Sequence, residues 1–125
     1  RRLRLEDAIV FTGYVDDADR PALYRGAAAF AYVSIYEGFG IPVVEALACG
    51  TPVLTSNSGA LAEVAGTAAL TCDPVDADAI ADGLRTLLTD GATRQRLQQA
   101  GPARARTFSH EAMGEAARQG YRRAL

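Results

Sequence analysis

Short apolar runs alternate with helical patterns along this chain. Four runs have the length and composition of buried strands: Ala8–Thr12, Ala28–Val33, Pro52–Thr55 and Ala68–Cys72. The first two are continuously apolar, which is typical of parallel strands covered on both faces. The pattern between and after these runs predicts helices over Asp19–Ala27, Pro42–Cys49, Leu61–Ala65, a stretch from Asp76 onward, about Arg94–Thr107, and a last helix N-capped by Ser109.

The clearest helix is the one that begins after Asp76. Its apolar residues recur at helical spacing and predict one buried stripe made of Ile80, Leu84, Leu87 and Leu88. Strands that alternate with helices predict an α/β fold, here a Rossmann-like parallel sheet with helices on both faces. Because such a doubly wound domain usually has about six strands, we expect residues 1–125 to form one partial domain whose first βα units are missing.

Composition excludes several classes of function. The net charge is −2, so nothing indicates a nucleic-acid partner. All thirteen basic residues are arginine, and the absence of lysine excludes a P-loop and Schiff-base chemistry within this chain. Cys49 and Cys72 have no close spacing, which favours buried free thiols in a reducing compartment, and no metal site is predicted. We therefore expect a cytoplasmic location.

The stretch YEGFGIPVVEALACG, residues 36–50, carries the candidate chemistry. It follows a predicted strand and opens a predicted helix, and ligands bind at this end of the strands in sheets of this type. Glycine lets the backbone approach a ligand closely, and Pro42 suits the first helical position. Together with the helix dipole, the turn predicts an anion site built from the free amides of Phe39, Gly40, Ile41 and Val43.

Two carboxylates, Glu37 and Glu45, flank this turn. An ionised carboxylate only accepts hydrogen bonds, and its two oxygens match neighbouring hydroxyl groups. Carboxylates on either side of an anion site therefore favour a ligand with a diphosphate between two polyol ends, which is a nucleotide sugar. The alternative is an ordinary helix start whose solvated carboxylates interact with the dipole. The turn does not match the G-x-G-x-x-G fingerprint, because Val43 stands at the third glycine position.

The segment E-G-F-G-I-P-V-V-E-A-L-A-C-G-T-P-V resembles the glutamate–seven residues–glutamate signature of the group 1 glycosyltransferases, also called glycosyltransferase family 4. These enzymes have the GT-B architecture of two Rossmann-like domains. The resemblance extends over roughly residues 8–90, through FTGYVDD, LYRGAAAFAYVS, SNSGALAEVAG and ALTCDPVDADAIADGL.

The resemblance implies that this chain is the C-terminal, donor-binding domain of a retaining, metal-independent hexosyltransferase. Its substrate would be a UDP-, GDP- or ADP-linked sugar, with no other cofactor. Glu37, the candidate catalytic residue, would contact hydroxyls of the donor sugar, Glu45 the ribose, and the backbone at Val15 the nucleobase. The residues whose backbone would line the sugar and the diphosphate are Gly38, Phe39, Gly40 and Ile41.

Parts of the family's machinery lie outside this stretch. The family usually holds the donor diphosphate with an arginine and a lysine from an upstream βα unit, and it binds the acceptor with an N-terminal domain. We therefore expect the isolated chain to be inactive. Arg118, Arg122 and Arg123 are candidates for contact with that domain or for peripheral membrane association of the full-length protein. The alternatives are a GT-B-related sugar-nucleotide epimerase and a non-enzymatic nucleotide-binding module.

Overall fold

The structure of the chain, a computed structural model, describes residues 3–124 apart from the side chains at positions 116–117, 120–121 and 123–124. Helices and strands alternate over the first two thirds, and three helices follow. In order the elements are α1 (Arg20–Gly26), β1 (Phe30–Tyr32), α2 (Ile41–Ala48), β2 (Val53–Ser56), α3 (Gly59–Ala65), β3 (Leu70–Cys72), α4 (Ala77–Thr89), α5 (Gly91–Arg106) and α6 (His110–Ala124).

The three strands form one parallel sheet in the order β1-β2-β3, with helices on both faces. Neighbouring residues of the central strand face opposite sides of the sheet. Val53 packs among buried side chains of α2 and α3, whereas Leu54 packs against Leu87 of α4 and Leu97 of α5. This arrangement confirms the predicted Rossmann-like α/β fold.

A glycine allows α5 to lie directly against α2. A Cβ atom added at Gly101 would come within 2.8 Å of the carbonyl oxygen of Leu47, which no side chain tolerates without a backbone shift. Gly101 and Leu47 are both buried, and Leu47 is fully enclosed. The contact joins α2, which opens the candidate turn, to a helix more than fifty positions later in the chain.

The strand predicted over Ala8–Thr12 is wrong. This segment is irregular, and Val10 and Phe11 are 83% and 93% exposed. A strand needs a hydrogen-bonded neighbour, and within residues 3–124 the outer edge of β1 carries none. Strands that follow each other in sequence need not be neighbours in such a sheet. In the order 3-2-1-4-5-6, for example, strands 1 and 2 lie between strands 3 and 4. The apolar pattern thus indicates a tendency to be buried, whereas a strand also needs a hydrogen-bonded neighbour, which this pattern does not reveal.

Other expectations hold with small changes. The hydroxyl of Ser109 accepts a hydrogen bond from the Ala112 amide at 3.1 Å, which confirms the predicted N-cap of α6. Leu87 of the predicted α4 stripe is fully buried, but Leu88 is 54% exposed. Cys72 is a buried free thiol as predicted, whereas Cys49 is only half-buried. Among residues 3–124, no helix combines the length and the apolar character needed to cross a membrane.

Replacing Gly101 by alanine should lower the free energy of unfolding by about 2 kcal/mol, because the new methyl group forces α5 away from α2. Urea unfolding followed by circular dichroism measures this change. Gly91→Ala in the same helix is the matched control, since nothing lies within 4 Å of its added Cβ. Equal stability of the two variants would show that the backbones of α2 and α5 are not in close contact.

Candidate functional site

The turn that opens α2 depends on one glycine in a left-handed conformation. Gly40 has φ 92° and ψ 47° and is the N-cap of the helix, which begins at Ile41. A Cβ at Gly40 would lie 2.4 Å from Cδ2 of Leu61, a fully enclosed side chain of α3. Position 40 therefore disfavours other residues both by its backbone conformation and by the space available. The sequence predicted Pro42 at the first position of the helix, and it stands at the second.

Fewer amides are free at this turn than the sequence predicted. The Val43 amide donates to the Gly40 carbonyl at 3.0 Å, so it is already engaged. Three successive amides, those of Phe39, Gly40 and Ile41, have no acceptor among the described residues. They are followed by Pro42, which has no amide hydrogen to offer. The start of α2 thus presents three consecutive donors, and the dipole of the helix adds to their positive potential.

Glu45 extends from α2 towards α1 and is held there through both oxygens. Its Oε2 accepts from the hydroxyl of Tyr24 at 2.9 Å, and its Oε1 lies 3.4 Å from Nη2 of Arg20. The same guanidinium is 3.2 Å from Asp17. Burial, followed by the hydrogen bond to Glu45, raises the pKa of Tyr24 to about 12. The Glu45 side chain keeps 32% of its surface exposed, so it remains accessible to a ligand.

Glu37 is half-buried and accepts a hydrogen bond at Oε1 from the hydroxyl of Tyr32, the last residue of β1. This hydrogen bond is the main cause that raises the pKa of Tyr32. The backbone just before Glu37 is also fixed, because the Ser34 hydroxyl donates to the Tyr36 carbonyl at 3.0 Å. Both candidate carboxylates are therefore anchored by side chains from outside the turn.

Three cavities lie beside Glu45 and Val15. Glu45 lines one of about 220 Å³ with Arg20 and Tyr24, and it borders a groove of about 460 Å³ that runs past Phe39. Val15 is half-buried and lines a third cavity, of about 250 Å³, which shares Arg20 and Tyr24 with the first. Val15 and Glu45 thus lie on either side of the same two residues. Glu37 does not line any of these three cavities.

Phe39 is supported by residues that the sequence analysis did not identify. The ring of Phe108 meets that of Phe39 edge to face, with centroids 5.6 Å apart. The guanidinium carbon of Arg104 lies 5.0 Å from the centre of the Phe108 ring, while its Nε donates to the Val64 carbonyl at 2.9 Å. Arg104 thereby joins the end of α3 to the ring that supports the turn. No local pattern indicates this, because its members come from three separate segments.

Comparison with known proteins agrees with this fold. The family described as "Glycosyl transferases group 1" matches residues 1–104. By its fold, the protein is a Rossmann-like α/β protein. More narrowly, it belongs to the group 1 glycosyltransferases, which confirms the resemblance seen in the sequence.

Among its relatives, O-antigen chain mannosyltransferase B of Escherichia coli is 46% identical over 106 residues, covering 85% of this chain and 28% of that protein. Glycogen synthase of Mycobacterium tuberculosis is 38% identical over 102 residues, covering 80% and 25%. The structure of sucrose-phosphate synthase from Thermosynechococcus elongatus superposes with a TM-score of 0.76 at 35% identity, covering 96% of this chain and 31% of that one. The chain thus spans between a quarter and a third of these relatives' length.

Replacing Gly40 by alanine should lower the free energy of unfolding by about 3 kcal/mol, since the substitution adds backbone strain and an overlap with Leu61. Thermal and urea unfolding measure this loss. Gly38→Ala is the control from the same turn, because its added Cβ meets nothing within 4 Å. If both variants unfold at the same denaturant concentration, the left-handed turn described here is not the native one.

Proposed function

We propose that this chain is the nucleotide-sugar-binding part of a retaining glycosyltransferase that moves a hexosyl group to an acceptor. The observation that carries the proposal is the start of α2, where the amides of Phe39, Gly40 and Ile41 are unpaired among the described residues. Successive free amides at a helix N-terminus bind phosphate groups. Membership of the group 1 glycosyltransferases supports sugar transfer as the reaction.

In the proposed reaction, the turn stabilises the leaving diphosphate. Negative charge grows on the diphosphate as its bond to the sugar breaks, and fixed amide donors aimed at that charge lower the barrier without reorganisation. This role needs no metal ion, because the backbone supplies the positive potential. The left-handed Gly40 holds the donors in place before the ligand arrives, and Leu61 beneath it leaves the turn little room to collapse.

The flanking side chains divide the rest of the ligand between them. Glu37 would accept hydrogen bonds from hydroxyls of the donor sugar and is the proposed catalytic residue. Glu45 would accept from the ribose at the rim of its cavity. The neighbouring cavity lined by Val15 would receive the base, since the two cavities share Arg20 and Tyr24. This order of base, ribose, diphosphate and sugar is that of a nucleotide sugar, here one linked to UDP, GDP or ADP.

The acceptor would be held by a separate N-terminal domain, so this chain is proposed to be part of the C-terminal half of a GT-B enzyme. The coverage of the relatives supports that division, because each is three to four times as long. A cytoplasmic location and peripheral membrane contact remain predictions. For the latter, Arg118 is paired with Glu115 at 2.7 Å, which reduces the positive charge on offer, and the side chain of Arg123 lies outside the described residues.

Titration of the chain with UDP, GDP, ADP and their sugars should show weak binding that selects one base. Isothermal calorimetry or NMR shift mapping provides the dissociation constants. Glu45→Gln should weaken binding roughly 10-fold, because a hydrogen bond to a charged group contributes about 1.5–3 kcal/mol.

The matched control is Glu111→Gln, which removes an exposed carboxylate from the first turn of α6. It should leave the affinity unchanged. Nucleotide binding that is equally strong in the Glu45 variant and in the control would contradict the proposed ribose contact.

The chain alone should transfer no sugar, because the proposed acceptor domain and the family's upstream basic residues are not part of it. Incubation with labelled donor sugars and simple sugar acceptors, followed by chromatography, tests this. Robust multiple turnover by the purified chain would contradict the proposed division of labour between two domains.

A further inference from the structure

Each candidate carboxylate is held by a tyrosine hydroxyl from a different element. Tyr24 of α1 donates to Oε2 of Glu45 at 2.9 Å, and Tyr32 of β1 donates to Oε1 of Glu37. Tyr24 lies within α1 and Tyr32 ends β1, so both precede the turn. The same type of anchor therefore occurs twice, once on each side of the amide donors.

A tyrosine suits this task for chemical reasons. Its hydroxyl donates one hydrogen bond and is neutral, so the carboxylate keeps its full negative charge for a ligand. A carboxylate has about four lone-pair positions, and one donor leaves most of them open. Among the described residues, Oε2 of Glu37 accepts no hydrogen bond at all. An arginine in the same place would instead neutralise the charge, as Arg20 does in part for Glu45.

The two tyrosines are linked to each other through one ring. Phe30 meets Tyr24 edge to face at 5.1 Å and 87°, and it stacks on Tyr32 at 6.2 Å and 13°. We name these three residues the aromatic row. Rings packed in this way stabilise each other's orientation, so Phe30 supports both tyrosines.

The backbone beneath the aromatic row is fixed by two threonines. The hydroxyl of Thr51 donates to the Tyr24 carbonyl at 2.6 Å, and that of Thr55 donates to the Tyr32 carbonyl at 2.8 Å. Both threonines are buried, at 3% and 0% exposure. They lie in or next to β2, the central strand, so both tyrosines are attached to the most enclosed part of the sheet.

We propose that Tyr24 and Tyr32 are positioning residues, and that the aromatic row sets the spacing and direction of Glu45 and Glu37 for the two polyol ends of one ligand. The ligand class, a nucleotide sugar, rests on the function proposed above. The row itself consists only of contacts within the chain.

Affinity measurements separate the two anchors. Tyr32→Phe keeps the ring and removes only the hydroxyl that orients Glu37, so it should weaken a nucleotide sugar roughly 10-fold and leave the bare nucleoside diphosphate unaffected. Tyr24→Phe acts on Glu45 and should weaken both ligands to a similar degree. Tyr14→Phe is the control, because this side chain is 86% exposed and should change neither affinity.

A second measurement needs no ligand. NMR titration of isotopically labelled tyrosine rings follows each ionisation in the chain. Glu37→Gln should return the pKa of Tyr32 most of the way to its usual value, because the hydrogen bond is the main cause of the rise. Glu45→Gln should return that of Tyr24 only in part, because burial contributes most there.

The outcomes are distinct. If neither tyrosine titration responds to its glutamine variant, the anchoring is absent and the proposal is overturned, whatever the chain binds. It is also overturned if the ligands bind and both Tyr→Phe variants bind them as tightly as the parent. If the titrations respond but no nucleotide binds, the proposed function fails and with it the ligand role, while the anchoring of the carboxylates stands.

Discussion

The candidate site depends on the contact between Gly40 and Leu61. A left-handed residue packed on a fully enclosed leucine fixes where the backbone turns from β1 into α2. The first residue of α2, and therefore the direction of the amides before it, follows from that turn. The side of the helix on which Glu45 lies follows as well, because it is set by the number of residues between Glu45 and the start of the helix. One close approach between two elements thus determines the geometry of the donors and of one acceptor.

The remaining geometry comes from the sheet. β2 is buried along its whole length, and its hydroxyl-bearing residues donate to backbone carbonyls of neighbouring segments instead of pairing with each other. Thr55 and Thr51 in this way connect the central strand to the two tyrosines beside the carboxylates. Polar groups buried at the centre are satisfied by these bonds, which makes the attachment rigid. Buried hydrogen bonds beside the central strand thus hold the tyrosines that contact the candidate carboxylates.

Local signals in the sequence were sufficient for the turn and insufficient for its partners. Glycine, proline and the apolar run predicted a helix from Pro42, and α2 begins one residue earlier. The tyrosine that holds Glu45 lies 21 positions away, so no spacing rule connects the two. Ala8–Thr12 failed for the same reason, since pairing of strands is a long-range property. The Val43 amide was predicted to be free, but in the first turn of α2 it donates a hydrogen bond to the Gly40 carbonyl.

Arg104 has a consequence for how pieces of such proteins can be exchanged. Its guanidinium joins the carbonyl of Val64 to the ring of Phe108, which in turn supports Phe39. A glycine-rich turn transplanted into another scaffold without Arg104 and Phe108 would lose the ring contact that supports one side of Phe39. The smallest portable unit is therefore discontinuous: it joins the segment around residues 36–50 to the end of α3 and to the stretch from Arg104 to Phe108.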